Sequence, residues 1–346
     1  MSSGFRFAIV GATGAVGRQM LAVLEERKLP VASLKLLASE RSAGEVVEFQ
    51  GNSHMVELLT PESFKDIDIA LFSAGGGVSL EYGPIAAEHG AIVIDNSSAF
   101  RMTERIPLIV PEVNANVLRQ ALQKRDRKGF VVANPNCSTI QLVVVLKPID
   151  DKVKLSRVVV STYQSVAGAG QKGIEELSSQ VLGLFQQREP EPKHFPHQIA
   201  FNCIPQIDVF EENGYTKEEM KVVRESRKIM GLPDLRITAT AVRVPVFSCH
   251  SESVNIETVN PLSAVEAQQL LKESPGIIVM DDPSIKEYPL AAKLAETDAV
   301  YVGRIRNDES VPNGLNMWIV ADNLRKGAAL NAVQIAEIVM EQGLAH

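Results

Sequence analysis

The chain has 346 residues, enough for about two domains with large cores and no need of a disulfide or metal staple. It is 45% hydrophobic and 22% charged, and 35 Lys and Arg against 42 Asp and Glu give a net charge of −7; this excludes a disordered chain and argues against nucleic acid or an anionic membrane as a partner. No apolar stretch approaches the roughly 18 residues of a membrane span. The N-terminus has no signal-peptide anatomy, and the three cysteines are far apart with no CxxC, so a reducing, cytoplasmic setting without metal is expected.

In chain order, residues 5–10 predict a strand and residues 15–27 a helix with Val16, Met20, Val23 and Leu24 on one face. Strands follow at 34–38, 67–72, 91–94 and 131–133, with helical patterns at 80–89 and 114–124. This alternation implies a doubly wound α/β domain on a parallel sheet. The charged run 124–128 reads as a solvated helix end and turn. Residues 140–146 are an apolar run that is either helical or strand-like. Long β-rich runs then appear at 157–166, 236–246 and 252–260, and shorter ones at 277–280, 299–306 and 315–320. Helical patterns lie at 173–185, 217–230 and 264–272, and the proline-rich stretch 188–197 reads as a loop. The sum is an α+β second domain with a mixed or antiparallel sheet and helices on one face. Asp322 or Asn323 caps a last helix over 324–342.

Gly11-Ala-Thr13-Gly14-Ala15-Val16-Gly17 follows the first strand and opens the first helix, the context of a Rossmann-type dinucleotide turn. Its glycines allow a sharp bend, and the helix start offers free N–H groups and a positive dipole end to a pyrophosphate. The spacing is GxxGxxG instead of GxGxxG. After the second strand, Ser39 stands near the place of the usual ribose-binding acid, and Arg41, with Ser42 beside it, can meet a 2′-phosphate; this favours NADP, with Glu40 as the counter-evidence. Ser73-Ala-Gly75 lies at the carboxyl end of a further strand, where a loop can run along a cofactor.

Asn136-Cys137-Ser-Thr follows the strand at 131–133. The Asn, Ser and Thr residues mark a helix start, where the dipole and open amides favour a thiolate and can hold an oxyanion. A thiol nucleophile needs a partner, and His250 is the best placed of six histidines, between two β-rich runs and near Arg243. Cys203 and Cys249 read as small apolar residues.

Taken together, GATGAVG, the segment 96–101 (NSSAFR), PNCST at 135–139, Gln164-Ser-Val-Ala-Gly168, Glu218-Glu-Met-Lys221, Arg243-Val-Pro-Val, His250-Ser-Glu and the 322–329 segment DNLRKGAA resemble the aspartate-β-semialdehyde dehydrogenase family, in that family's order and over essentially the whole chain. The resemblance implies NADPH-dependent reductive dephosphorylation of L-4-aspartyl phosphate to aspartate semialdehyde and phosphate, on the route to lysine, methionine and threonine. It implies that Cys137 forms a thioester, His250 is the general acid/base, Gln164 orients the acyl group and Asn136 with backbone amides holds the oxyanion. Arg243 would grip the substrate carboxylate, Glu218 the ammonium, and Lys221 with Arg101 the phosphate. Gly168 and Asn316 would lie near the nicotinamide. The resemblance further implies a homodimer and a discontinuous cofactor domain, residues 1–133 with 323–346, beside a catalytic and dimerisation domain, 134–322. Two other readings are N-acetyl-γ-glutamyl-phosphate reductase, whose substrate lacks a free ammonium, and a non-catalytic dinucleotide sensor.

Overall fold

Short strands with buried, mainly apolar centres that alternate with helices fold as a sheet covered on both faces, and the first unit does so. The computed structural model describes residues 4–125 and 128–343. The chain divides into two units, one running to Asn136 and resuming at Ala328, the other Cys137–Gly327. The first unit contains β1 (Phe5–Val10), α1 (Ala15–Glu26), β2 (Val31–Ala38), β3 (Val46–Phe49), β4 (Asn52–Leu58), β5 (Ile69–Phe72), α2 (Gly76–Glu88), β6 (Ile92–Asp95), α3 (Pro111–Lys124) and β7 (Phe130–Ala133). Its seven strands run in the order β3-β4-β2-β1-β5-β6-β7, all pairs parallel except β3 with β4. The strand order reverses between β1 and β5, and this is where an open α/β sheet binds its ligand, outside the carboxyl ends.

The hairpin β3–β4 is an element the periodicity did not predict. β3 is four residues long and half exposed and β4 is mostly exposed, and the signal of the hairpin is the Gln50-Gly51 pair, both at positive φ (50° and 72°) as a two-residue type I′ turn requires. Part of the charged run at 124–128 lies outside the described residues; Lys124 ends α3.

The second unit opens with α4 (Cys137–Val153), a helix with twelve buried residues, which is why its run of valines had no helical stripe to read. There follow β8 (Leu155–Gln164), a 3₁₀ turn at Val166–Ala169, α5 (Gln171–Phe185), α6 (Lys217–Met230), β9 (Arg236–Arg243), β10 (His250–Thr258), α7 (Ala264–Lys272), β11 (Ile277–Val279), α8 (Ala291–Leu294), β12 (Val300–Asp308) and β13 (Gly314–Ala321). The sheet is mixed, in the order β11-β12-β13-β10-β8-β9, with β8–β9 and β11–β12 parallel and the other pairs antiparallel. Helices α4, α6 and α7 pack on it.

Asp322 caps the last helical stretch, its Oδ1 accepting from the N–H groups of Leu324 and Arg325. The stretch begins as a π-helical turn, Arg325–Ala329, and continues as α9 (Leu330–Glu341). Within the first unit α9 packs on α1, α3 and β6, and its apolar side chains join Phe7, Ile9, Leu24 and Ile94 in one core.

Candidate active site

In the first unit the glycine turn has the geometry a dinucleotide needs. Gly11 sits at φ +82°, and a side chain there would also meet the Ser73–Ala74 backbone at 3.0 Å. A Cβ on Gly17 would lie 2.2 Å from the Gly11 carbonyl oxygen, so helix and turn approach this closely only through glycine. Thr13 stands in the turn, and its carbonyl accepts from Arg18 Nε. Gly14 is the N-cap of α1 and supplies no side-chain cap, which leaves the first-turn amides of Ala15, Val16 and Gly17 open to an anion. Ser73 is committed to this turn, its hydroxyl donating to the Val10 and Gly11 carbonyls, while Gly75 at φ +92° starts α2. At the end of β2 the N–H groups of Ser42 and Ala43 close a turn on the Ser39 carbonyl; Ser39 and Arg41 are exposed and Ser42 is buried. Arg41 has no ion pair among the described residues. The residues present therefore fit a dinucleotide.

Also in the first unit, Asp95 ends β6 and accepts from Ser79 and Ser97, fixing the loop that carries Arg101. Arg101 is buried and donates to the carbonyls of Asn134 and Asn96. Asn134 is itself held by Asn96 and Asn331. Asn136, buried, closes this unit immediately before the thiol.

The second unit gathers the chemistry. Cys137 is the first residue of α4, at the positive end of its dipole, and is half-buried. Gln164 ends β8 and donates through Nε2 to Ser138 Oγ at 2.5 Å and to Glu218 Oε1 at 3.2 Å. Parallel register sets Gln164 beside Arg243, the last residue of β9. Arg243 donates to the Ser165 carbonyl (2.7 Å) and lies over the Phe195 ring. Burial lowers its pKa, while the Glu218 carboxylate and the Cys137 sulfur pull the other way.

His250 was expected between two strands; it is instead the first residue of β10, wholly buried. Cys249 before it sits at φ +67°, a costly conformation for a residue with a Cβ, and this turns the chain into the strand. The backbone N–H of Ser165 donates to His250 Nδ1 at 3.1 Å. Nδ1 is thus an acceptor, and in the neutral ring the proton sits on Nε2. Burial and the nearby Arg243 push His250 down to about 3, against the pull of Glu218, so the ring is neutral at working pH. Gly168 explains the close approach: a Cβ there would come within 3.1 Å of both Arg243 Nη1 and His250 Cε1.

On α6, Glu218 and Lys221 share a face, and Lys221 Nζ lies 3.0 Å from Glu218 and 2.9 Å from Asp208. Burial works against the ammonium, but the two carboxylates outweigh it and Lys221 is raised. Asp208, at φ +68°, is lowered by Lys221 and the Val209 N–H in spite of its own burial.

Asn316 is paired with Asn255 in mid-sheet, on the face opposite His250, and accepts from Asn255 Nδ2; strand alternation turns it away from the thiol. The asparagine that reaches the cluster is Asn323, whose Oδ1 accepts from Ser165 Oγ at 3.0 Å. Sequence reasoning also missed Asp208 and Ser165 as partners, and Gly327, where a Cβ would lie 2.9 Å from Cys137 Cβ. Ser165, Asn323 and Gly327 fall inside stretches already singled out; Asp208 carried no signal.

The semialdehyde dehydrogenase NAD binding domain family matches residues 6–121, and the semialdehyde dehydrogenase dimerisation domain family matches residues 146–326. An aspartate-semialdehyde dehydrogenase of Aquifex aeolicus is 55% identical over 343 residues, 99% of each chain. The structure of aspartate semialdehyde dehydrogenase II from Vibrio cholerae complexed with ASA superposes with a TM-score of 0.93 at 49% identity, covering 98% of this chain and 99% of that one. That of the Candida albicans enzyme with NADP gives 0.76 at 25% identity, covering 98% and 99%. The chain belongs to the aspartate-semialdehyde dehydrogenase family.

Proposed function

We propose that the chain catalyses NADPH-dependent reductive dephosphorylation of L-4-aspartyl phosphate to L-aspartate 4-semialdehyde and phosphate. The observation that carries this reading is the convergence, within one unit, of a helix-start thiol with Arg243, Gln164, a neutral His250 and the Glu218–Lys221 pair. The Cys137 thiolate, favoured by the α4 dipole and Arg243, attacks the acyl carbon; the S–C bond forms and phosphate leaves with the bonding electrons of the C–O bond. The bound nucleotide supplies the hydride. The resulting oxyanion collapses to the aldehyde as the electrons of the S–C bond return to sulfur. No step at carbon calls for a base. His250, holding its proton on Nε2, meets the oxygen as a donor whose hydrogen bond strengthens as charge develops there. Arg243 suits a carboxylate as a planar fork, Glu218 the substrate ammonium, and Lys221 the phosphate.

The exposed Ser39 and Arg41 at the end of β2 support NADP over NAD, as does the Candida albicans relative solved with NADP. A homodimer is supported by the match to a dimerisation domain. No helix among the described residues is long and apolar enough to cross a membrane. The test is reduction of NADP with L-aspartate 4-semialdehyde, with and without phosphate. Phosphate-dependent reduction is expected, far slower with N-acetylglutamate semialdehyde. Preference for the acetylated aldehyde, which has no ammonium for Glu218, would overturn the substrate assignment.

A further inference from the structure

Beneath the site lies a buried polar patch that the reaction above does not use. Glu252 is the third residue of β10 and shares a face with His250 two positions earlier. It is 0% exposed, and neither carboxyl oxygen has a hydrogen-bond partner. Directly across on β8 stands Thr162, also fully buried, its hydroxyl likewise without one. Gln141, one turn along α4 from Cys137, donates through Nε2 to the His250 carbonyl at 3.4 Å, while its Oε1 has no partner. Four polar oxygens thus share this patch, and the hydrogens at hand are the Thr162 hydroxyl and the second N–H of the Gln141 amide, too few for all four. An ionised carboxylate here would be stranded, since buried charges persist only when paired. A proton on Glu252 supplies the missing donor.

We propose that Glu252 is a positioning residue held as a neutral carboxylic acid: it engages the Gln141 amide, and Gln141 holds the main chain of His250, so that the helix bearing the thiol and the strand bearing the imidazole are pinned together. Burial raises Glu252 well above the ordinary carboxylate range, and Gln141 is the one side chain that opposes this shift; no charged group acts on it, whereas Arg243 and Glu218 act on His250. Glu252 touches neither substrate nor cofactor in this scheme. Its effect on rate rests on the thiol–imidazole reading above, but its protonation does not.

The experiment compares the full-length wild type with Glu252→Gln, Glu252→Leu and Gln141→Leu. The wild type at neutral pH should show an infrared C=O stretch of a protonated carboxyl, shifted in D₂O and missing from Glu252→Gln. Glu252→Gln, a neutral mimic, should fold and keep close to wild-type kcat. Glu252→Leu and Gln141→Leu should lose roughly tenfold to a hundredfold in kcat, the scale of a small misplacement, with KM for the aldehyde little changed. The stability curves add a sign. The folded state keeps the Glu252 proton while the unfolded chain releases it above its ordinary pKa of 4.5, so wild type should lose stability relative to Glu252→Gln as pH rises from there. The proposal is overturned if the carboxyl band is missing, if Glu252→Gln fails to fold or loses as much kcat as the leucine variant, or if Glu252→Leu keeps full kcat. Should the enzyme not reduce NADP with aspartate semialdehyde at all, the infrared band and the pH dependence of stability still decide the state of Glu252.

Discussion

The dinucleotide turn and the thiol cluster both depend on glycine, yet they are built in opposite ways. At the turn, Gly17 in the first turn of α1 makes room for the carbonyl of Gly11, six residues before it. In the cluster, Gly168 makes room for Arg243 and His250, and Gly327 for Cys137, all far away in sequence. The first site is mainly a contiguous pattern, buttressed by the Leu37 carbonyl and by Ser73. The second exists only when β8, β9 and β10 are in register and α4 lies on them. Damage to the turn should therefore be confined to nucleotide binding, while damage to the cluster should spread through chemistry.

The largest effect should come from Cys137→Ser, which keeps the shape but replaces a thiolate with a hydroxyl that is barely nucleophilic at neutral pH. Nearly all turnover should vanish with NADP affinity retained; full activity would sink the nucleophile assignment. Gly168→Ala and His250→Ala come next, with losses of similar order. The methyl group of Gly168→Ala presses on the imidazole and the guanidinium, and a displacement of that size should cost on the order of 10²-fold in kcat. Gly17→Ala should instead abolish tight nucleotide binding and leave the alkylation rate of Cys137 unchanged. If both glycine variants fail in the same parameter, the contrast between the two regions is wrong.

His250→Ala removes a donor at the developing oxyanion and should lower kcat about 10²–10³-fold. His250→Gln, which keeps an N–H, should recover part of it; no recovery would mean that the ring transfers a proton and does not simply donate a hydrogen bond. Because His250 sits near 3 in the folded protein and at 6.5 when free, the folded state binds fewer protons between those values. Stability should thus fall as pH drops from 6.5 toward 3, a slope that His250→Gln should lack. Arg243→Lys should raise KM for the aldehyde and spare NADP binding, since a point charge replaces a bidentate fork. The smallest effect is expected of Arg41→Ala, a higher KM for NADP with that for NAD unchanged.

What could be read in advance follows the same division. The turn, the helix start at Cys137 and the α6 helix were legible because each is a contiguous pattern. The Glu218–Lys221 spacing is a helical i,i+3 pair, and the helix runs over Lys217–Met230 as its periodicity predicts. The sheet face of Asn316 was not legible, because sequence carries no statement of which face a strand residue takes until register is known. Asn323 and Ser165 were visible inside motifs, but their contact joins the end of β8 to the segment after β13. Asp208 sits in a loop without periodicity and meets Lys221 through a left-handed residue. Glu252 was legible only as a charge in a strand, and nothing in the local pattern distinguishes a buried neutral acid from a solvated one.

The thioester on Cys137 is the claim on which the rest depends. Wild-type protein mixed with L-4-aspartyl phosphate in the absence of nucleotide, quenched in acid and analysed by mass spectrometry, should carry one aspartyl group, and peptide mapping should place it on Cys137, with inorganic phosphate released in equal amount. Cys137→Ser should carry none. An unmodified Cys137 in wild type, or acylation at another residue that persists in the serine variant, would contradict the account.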